Sequence, residues 1–203
     1  MTPIIIFGCG GHSRSIADII LFNDPRAQIL FIDEEARENE RIFGFEVLST
    51  GSFRQHYSCI VGIGDNSKRK EMFEKMMVVD EFDIISVISK TAYIGRKAEI
   101  EKGCFIGNYC HIGPEVKIGM NSILNNSCVI DHEVKIGAHC HIGPNATISG
   151  RSIIGDLVFI GVGATVIDKV AICSNTIVGA GATVVDNITG PGVYVGTPAC
   201  RIE

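Results

Sequence analysis

Tryptophan is absent, and aromatic residues make up only 7% of the 203 residues. No apolar run approaches the roughly 18 residues that a membrane helix requires, and the opening MTPIIIFGCGG lacks the basic n-region of a signal peptide. A cytoplasmic protein without membrane insertion is expected. No run of Lys and Arg is longer than the three residues Lys68-Arg69-Lys70, and the formal net charge is −5. A nucleic acid or an anionic membrane surface would find no electrostatic footprint, so neither is an expected partner. No two cysteines stand in C-x-x-C spacing, which removes the usual zinc arrangements. Eight cysteines nonetheless occur in a chain with no secretion signal, where disulfides are not expected. What is abundant is glycine, with 23 residues, and apolar side chains at 46%.

Up to about Thr91 the apolar residues come in short blocks. Ile4 to Phe7 is a buried-strand run ending at Gly8, and Ser13 to Asn23 follows with Ile16, Ile19 and Ile20 at helical spacing. Ile29 to Asp33, Ser58 to Ile63 and Phe82 to Ile88 read as further strands, and Asn66 to Met77 as a charged amphipathic helix. Strands alternating with helices predict a small, mostly parallel α/β unit. It is too short for the two halves of a complete dinucleotide-binding fold.

From Ile94 the pattern changes. Every sixth residue from Ile94 to Val184 is aliphatic, sixteen in succession, without an insertion. Glycine directly follows nine of them: Gly95, Gly107, Gly113, Gly119, Gly137, Gly143, Gly155, Gly161 and Gly179. The position four after each aliphatic is nearly always small, and Cys104, Cys110, Cys128 and Cys140 fall there. A period of six fits neither a helix nor an ordinary sheet, and predicts a solenoid of short parallel strands. One large aliphatic per hexapeptide points inward, a small residue fits beside it, and Gly helps the chain turn without a Cβ clash. Three hexapeptides make one triangular coil of eighteen residues. The four cysteines are then interior volume rather than chemistry, and a narrow prism has no room for an indole.

The segments IIIFGCGGHSRSIADII, FIDEE, VGIGDNSKRK, ILNNSCVIDHEVKIGAHCHIG and GVYVGTPACRI together resemble the sugar O-/N-acyltransferases of the hexapeptide-repeat group. These are typified by bacillosamine and perosamine N-acetyltransferases and by sialic acid O-acetyltransferases. The resemblance covers essentially the whole chain. It implies a left-handed parallel β-helix over 92–189, a Rossmann-like nucleotide-sugar-binding domain over 1–91 and a capping tail over 190–203. It further implies a homotrimer with active sites between subunits, acetyl-CoA as cosubstrate, no metal, and a role in bacterial surface-glycan synthesis.

His132, in the corner Asp131-His132-Glu133, is an imidazole between two carboxylates. Such a group can act as a base near neutral pH, although spacing alone favours a solvated corner residue. The resemblance places the family's catalytic histidine on His132, with Glu133 orienting the ring; Asn125, seven residues earlier near the previous corner, is a weaker candidate to hydrogen-bond near the acceptor. The resemblance also places His141, Val162 and Ala180 on acetyl-CoA. Gly10, Gly11 and His12 fall on the phosphates and sugar of a nucleotide-linked acceptor, Asp33 and Glu34 on its nucleoside, and Gly64 on the floor of that pocket. Cys128 tempts a nucleophile reading, but it holds an inward position and reads as packing. His111 and His139 read as surface polar residues, and Arg201 as a phosphate partner or a solvated cation. His132, His139, His141 and Asp131 are too unevenly disposed around a corner to suggest a metal.

The leading expectation is therefore an acetyl-CoA-dependent N-acetyltransferase acting on a nucleotide-linked 4-amino-4,6-dideoxy sugar, by direct attack without an acyl-enzyme. O-acetylation of a sialic-acid-like sugar and a non-catalytic trimeric nucleotide-binding scaffold stand as alternatives. An NAD oxidoreductase is disfavoured, because the α/β unit is half-size and Ser13 replaces the last glycine of G-x-G-x-x-G.

Overall fold

The computed structural model describes residues 3–49 and 56–202. The chain divides into two compact units, Met1–Val87 and Ile88–Glu203.

The first unit is a six-stranded sheet with two helices. Its elements are β1 (Ile4–Phe7), α1 (Gly11–Asn23), β2 (Ile29–Ile32), β3 (Arg41–Ile42), β4 (Phe45–Leu48), β5 (Tyr57–Val61), α2 (Asn66–Met77) and β6 (Phe82–Ile84). The strand order is β3-β4-β2-β1-β5-β6, and every pairing is parallel except β3 with β4. Ile5, Ile6, Phe31, Cys59 and Ile60 are fully enclosed, since a strand flanked on both sides has no wet face. The chain order reverses between β1 and β5, which opens a crevice beyond their carboxyl ends. Ser13 explains the missing third glycine: it is buried and its Oγ donates to the carbonyl of Gly62 at 2.9 Å. Helix and strand still meet closely, because position 62 has given up its side chain instead.

Two expectations on strand extent change. The run Ser58 to Ile63 stops as a strand at Val61, and Phe82 to Ile88 is interrupted at Ile85–Ser86. The β3–β4 hairpin was not anticipated. Its two-residue loop, Phe43-Gly44, has φ of 53° and 86°, a conformation that Asn-Gly would have announced and Phe-Gly does not.

The second unit is the solenoid. Strands of mostly two residues pair in parallel at a spacing of eighteen: Lys117 with Lys135, Ile123 with His141, and His111 with Val129. They stack into three faces of five, six and eight strands, the last including the closing strands Gly192–Val195 and Cys200–Arg201. From Ile106 to Ile160 the sixth-residue aliphatics are at most 3% exposed. Burying one such side chain is worth about 1.5–3 kcal/mol. The small positions Cys104, Cys110, Cys128 and Cys140 are enclosed beside them, and all eight cysteines are free thiols.

The glycines of the repeat serve a purpose other than the one expected. None of the nine has positive φ; the left-handed residue comes two positions later, as at Lys97, Glu115, Asn121 and His139. A Cβ on Gly95 would instead lie 2.5 Å from the carbonyl carbon of Gly113, and one on Gly119 2.6 Å from that of Gly137. The corners of successive coils stack too closely for a side chain there.

Candidate functional site

A cavity of about 780 Å³ occupies the crevice of the first unit. Gly10, Gly11, His12, Asp33, Glu34 and Gly64 all line it. Gly8 has φ of 112°, which turns the chain sharply out of β1. Helix α1 then begins with Gly10 at its N-cap, with no side-chain cap and no acidic residue in the first turn, so the positive end of its dipole has no carboxylate of its own helix beside it. A Cβ on Gly10 or Gly11 would meet nothing within 4 Å. Protein packing does not require either glycine, and their bareness leaves room for a ligand to approach the backbone. Arg14 folds back over the loop and donates to the carbonyls of Cys9 and Gly10.

Asp33 ties the loop to the end of β2. Its Oδ2 accepts from the N–H of Cys9 at 2.8 Å, and Oδ1 from that of Glu35 at 2.9 Å. Burial pushes its carboxyl upward, but these bonds and one from the Cys9 thiol outweigh that and hold it below the usual range. The Cys9 thiol is pushed up to about 11 by burial and by the adjacent Asp33. Gly64 is held from beneath by Arg69, 1% exposed, which donates to the carbonyls of Ile63 and Gly64 at 3.3 and 3.0 Å. The sequence reading missed two cations: Lys68 and Lys75 also line the cavity, with Met72 between them. They stand seven residues apart on α2, hence on one helix face. An anion here therefore meets ammonium groups as well as backbone amides, and the signal was present in the charged helix Asn66–Met77.

On the prism, His132 and Glu133 share one corner. Glu133 adopts φ of 59° and its Oε2 lies 3.0 Å from Nδ1 of His132. A carboxylate can only accept, so Nδ1 carries a hydrogen, and in the neutral ring the lone pair then falls on Nε2. Asp131 Oδ1 accepts from the His132 N–H at 2.7 Å, and its Oδ2 stands 4.0 Å from Nε2. Arg151 brings Nε to 3.7 Å from the same Glu133 oxygen. The imidazole is half-buried, accessible yet held.

Asn125, His141, Val162 and Ala180 gather around a different edge. The Asn125 amide lies 3.4 Å from Nε2 of His141, whose ring meets Phe159 edge-on with centroids 5.1 Å apart. Val162 and Ala180 occupy corresponding corner positions, with the N–H of Gly181 donating to the Val162 carbonyl at 2.9 Å. One prism face separates this group from His132, about five extended residues or ~16 Å. A signal for both edges was legible: Asn125 and Asp131 replace the glycine of two consecutive repeats. Each turns its side-chain oxygen back onto the next N–H.

The remaining candidates divide. Cys128 is fully buried against Cys110, with sulfurs 3.5 Å apart, in keeping with a packing role. His111 is exposed and stacks on Tyr93. His139 is not a surface residue: it is 8% exposed and its Nδ1 lies 2.8 Å from the amide of Asn121, its counterpart one coil back. Arg201 is exposed on the last strand. Among the described residues no three His, Cys, Asp or Glu side chains converge as a metal site, and no helix is long and apolar enough to cross a membrane.

Residues 3–76 match the PglD N-terminal domain family, residues 97–132 and 116–150 the bacterial transferase hexapeptide family, and residues 151–185 the hexapeptide repeat of succinyl-transferase. No curated protein matches in a sequence comparison. Among solved structures, PerB from Caulobacter crescentus in complex with CoA and GDP-perosamine is 27% identical, with a TM-score of 0.89 over 100% of this chain and 98% of that one. A variant of GDP-perosamine N-acetyltransferase from the same organism is 25% identical, with a TM-score of 0.90 over the same shares. The acetyltransferase domain of PglB from Neisseria gonorrhoeae, at 24% identity and a TM-score of 0.91 over 100% of both chains, shares the fold. The prism is accordingly a left-handed β-helix. With the front domain, the repeat and the full-length likeness in agreement, the chain belongs to the hexapeptide-repeat sugar acyltransferases.

Proposed function

We propose that the protein is an acetyl-CoA-dependent N-acetyltransferase acting on a nucleotide-linked 4-amino-4,6-dideoxy sugar, with His132 as general base. The observation that carries this reading is the 3.0 Å bond from His132 Nδ1 to Glu133, which selects the tautomer whose lone pair is on Nε2 when the ring is neutral, at an accessible corner. The relatives crystallised with CoA and GDP-perosamine support the substrate class. So does a cavity with a helix N-terminus that carries no side-chain cap, two lysines, and acidic residues at the end of β2. In this scheme Gly10, Gly11, His12 and the lysines take the diphosphate and sugar. Glu34, together with Asp33, faces the nucleoside, over a floor at Gly64.

The amine nitrogen attacks the thioester carbonyl carbon. A C–N bond forms, the C–S bond breaks, and the amine proton passes to Nε2 of His132. Coenzyme A leaves as a thiolate and takes up the proton that the imidazolium gives back, which restores the neutral base. Glu133 stabilises the imidazolium, as a carboxylate does in a hydrolase triad. His141, Val162, Ala180 and Asn125 form the acetyl-CoA side. Their edge and the His132 edge lie a face apart in one chain. One reaction can use both if a second subunit supplies the other half, which favours a homotrimer with sites between protomers in the cytoplasm. The test is purified protein with acetyl-CoA and a panel of UDP-, dTDP- and GDP-4-amino-4,6-dideoxy sugars, read by free-thiol release. Turnover with at least one amine is expected; none with any amine, or turnover only with hydroxyl acceptors, overturns the N-acetyl assignment.

A further inference from the structure

We propose that Gly150 is a positioning residue for His132, giving the imidazole its seat by having no side chain. Gly150 lies eighteen residues beyond His132, at the same corner one coil on. The two corners are tied where the N–H of Arg151 donates to the His132 carbonyl at 2.9 Å. An added Cβ at Gly150 would stand 2.5 Å from both Cε1 and Nε2 of the ring and 3.1 Å from Cδ2. No real Cβ approaches that closely, so the ring lies flat across the bare Cα. The backbone does not demand the glycine, because φ at Gly150 is outside the left-handed region. The repeat does not demand it either. The second residue after each of the sixteen repeat aliphatics is the equivalent position, and only residue 150 there is Gly; Arg96, Pro114, His132 and Asp168 hold it elsewhere along the same edge.

Any side chain at 150 would turn the ring away from this plane. The turn would strain the Nδ1 bond to Glu133 and redirect Nε2, the atom that takes the proton. This inference rests on the assignment of His132 as base, but its steric half can be measured without turnover. A double-variant cycle therefore tests it, using G150A, H132A and the two together, with melting temperature and steady-state kinetics as readouts. G150A is expected to lower kcat about 10- to 100-fold, the effect of a small misplacement at the reacting centre, with the KM values for both substrates nearly unchanged. It should also lower the melting temperature in the wild-type background and leave it unaltered in the H132A background, where the ring that blocked the Cβ is gone. An equal melting loss in both backgrounds, or an unchanged kcat for G150A, overturns the proposal. So does a double variant that fails to fold, since the glycine would then serve the prism itself. The H132A rate alone judges the base assignment, so the two failures are separable.

Discussion

Asp33 Oδ2 accepts the backbone N–H of Cys9 at 2.8 Å, across 24 residues of sequence, and so fastens the glycine loop to the end of β2. The folded carboxyl is held below its ordinary value of 3.8. Its contribution to stability is therefore complete above that value and is lost as pH falls through the lower folded one. The melting-temperature gap between wild type and D33N should be widest near neutral pH and close below about pH 4. A gap that stays constant down to pH 3 would contradict the bond's role. Iodoacetamide labelling of Cys9 should be slow at pH 8, because only the thiolate reacts and the thiol is raised to about 11. D33N should accelerate it.

Gly10 and Gly11 have open space where a Cβ would go. G10A and G11A should each leave the melting temperature within about 1 °C of wild type, since no packing is disturbed. The same variants should raise KM for the nucleotide sugar several-fold, by roughly 1 kcal/mol of lost approach to the amides. Unchanged KM values would remove the loop from the binding site.

Lys68 and Lys75 are expected to act on the diphosphate. K68Q and K75Q should each raise KM for the nucleotide sugar about three- to tenfold, with kcat and the acetyl-CoA KM unaltered. The wild-type KM should rise with added salt, and less steeply in either variant. A salt response identical in all three proteins would assign the lysines to solvent.

His132→Ala should reduce kcat by about 10²–10⁴-fold, the range for loss of a general base, while sedimentation still shows a trimer. Unchanged turnover would dismiss His132. H141A and N125A should act mainly on the KM for acetyl-CoA.

If the two prism edges meet only across subunits, co-expressed H132A and H141A chains, assayed at acetyl-CoA well below the KM of H141A, should show more activity than either variant alone. Mixed trimers then contain interfaces carrying both wild-type side chains. No recovery in verified mixed trimers would place the complete site within one protomer.

The hexapeptide period was readable residue by residue, because each aliphatic from Ile94 to Val184 fills the same interior and one slip would expose a whole face. The reason for its glycines was not. The clash at Gly95 or Gly119 comes from a backbone eighteen residues away, which only stacking reveals. The cavity was readable in part. Gly8, Gly10 and Asp33 announce a strand-to-helix turn and its acidic neighbour. Lys68 and Lys75 reach the same cavity only because β5 lies beside β1 and α2 follows β5. His139 shows the opposite failure: a polar residue at a turn reads as exposed, yet its side chain is buried against Asn121, eighteen residues away.

By itself, the sequence determined the coil length, the inward ladder, the α/β character of the front unit and the residue types available for chemistry. All of these follow from local geometry and side-chain volume, which repeat along the chain. Tertiary structure decided which residues meet: Glu133 and Arg151 on one oxygen, Asn125 on His141, and the His132 ring on bare Gly150. Those relations join residues up to eighteen positions apart. They exist because parallel coils stack in register, so that residues about one coil apart in the chain meet in space.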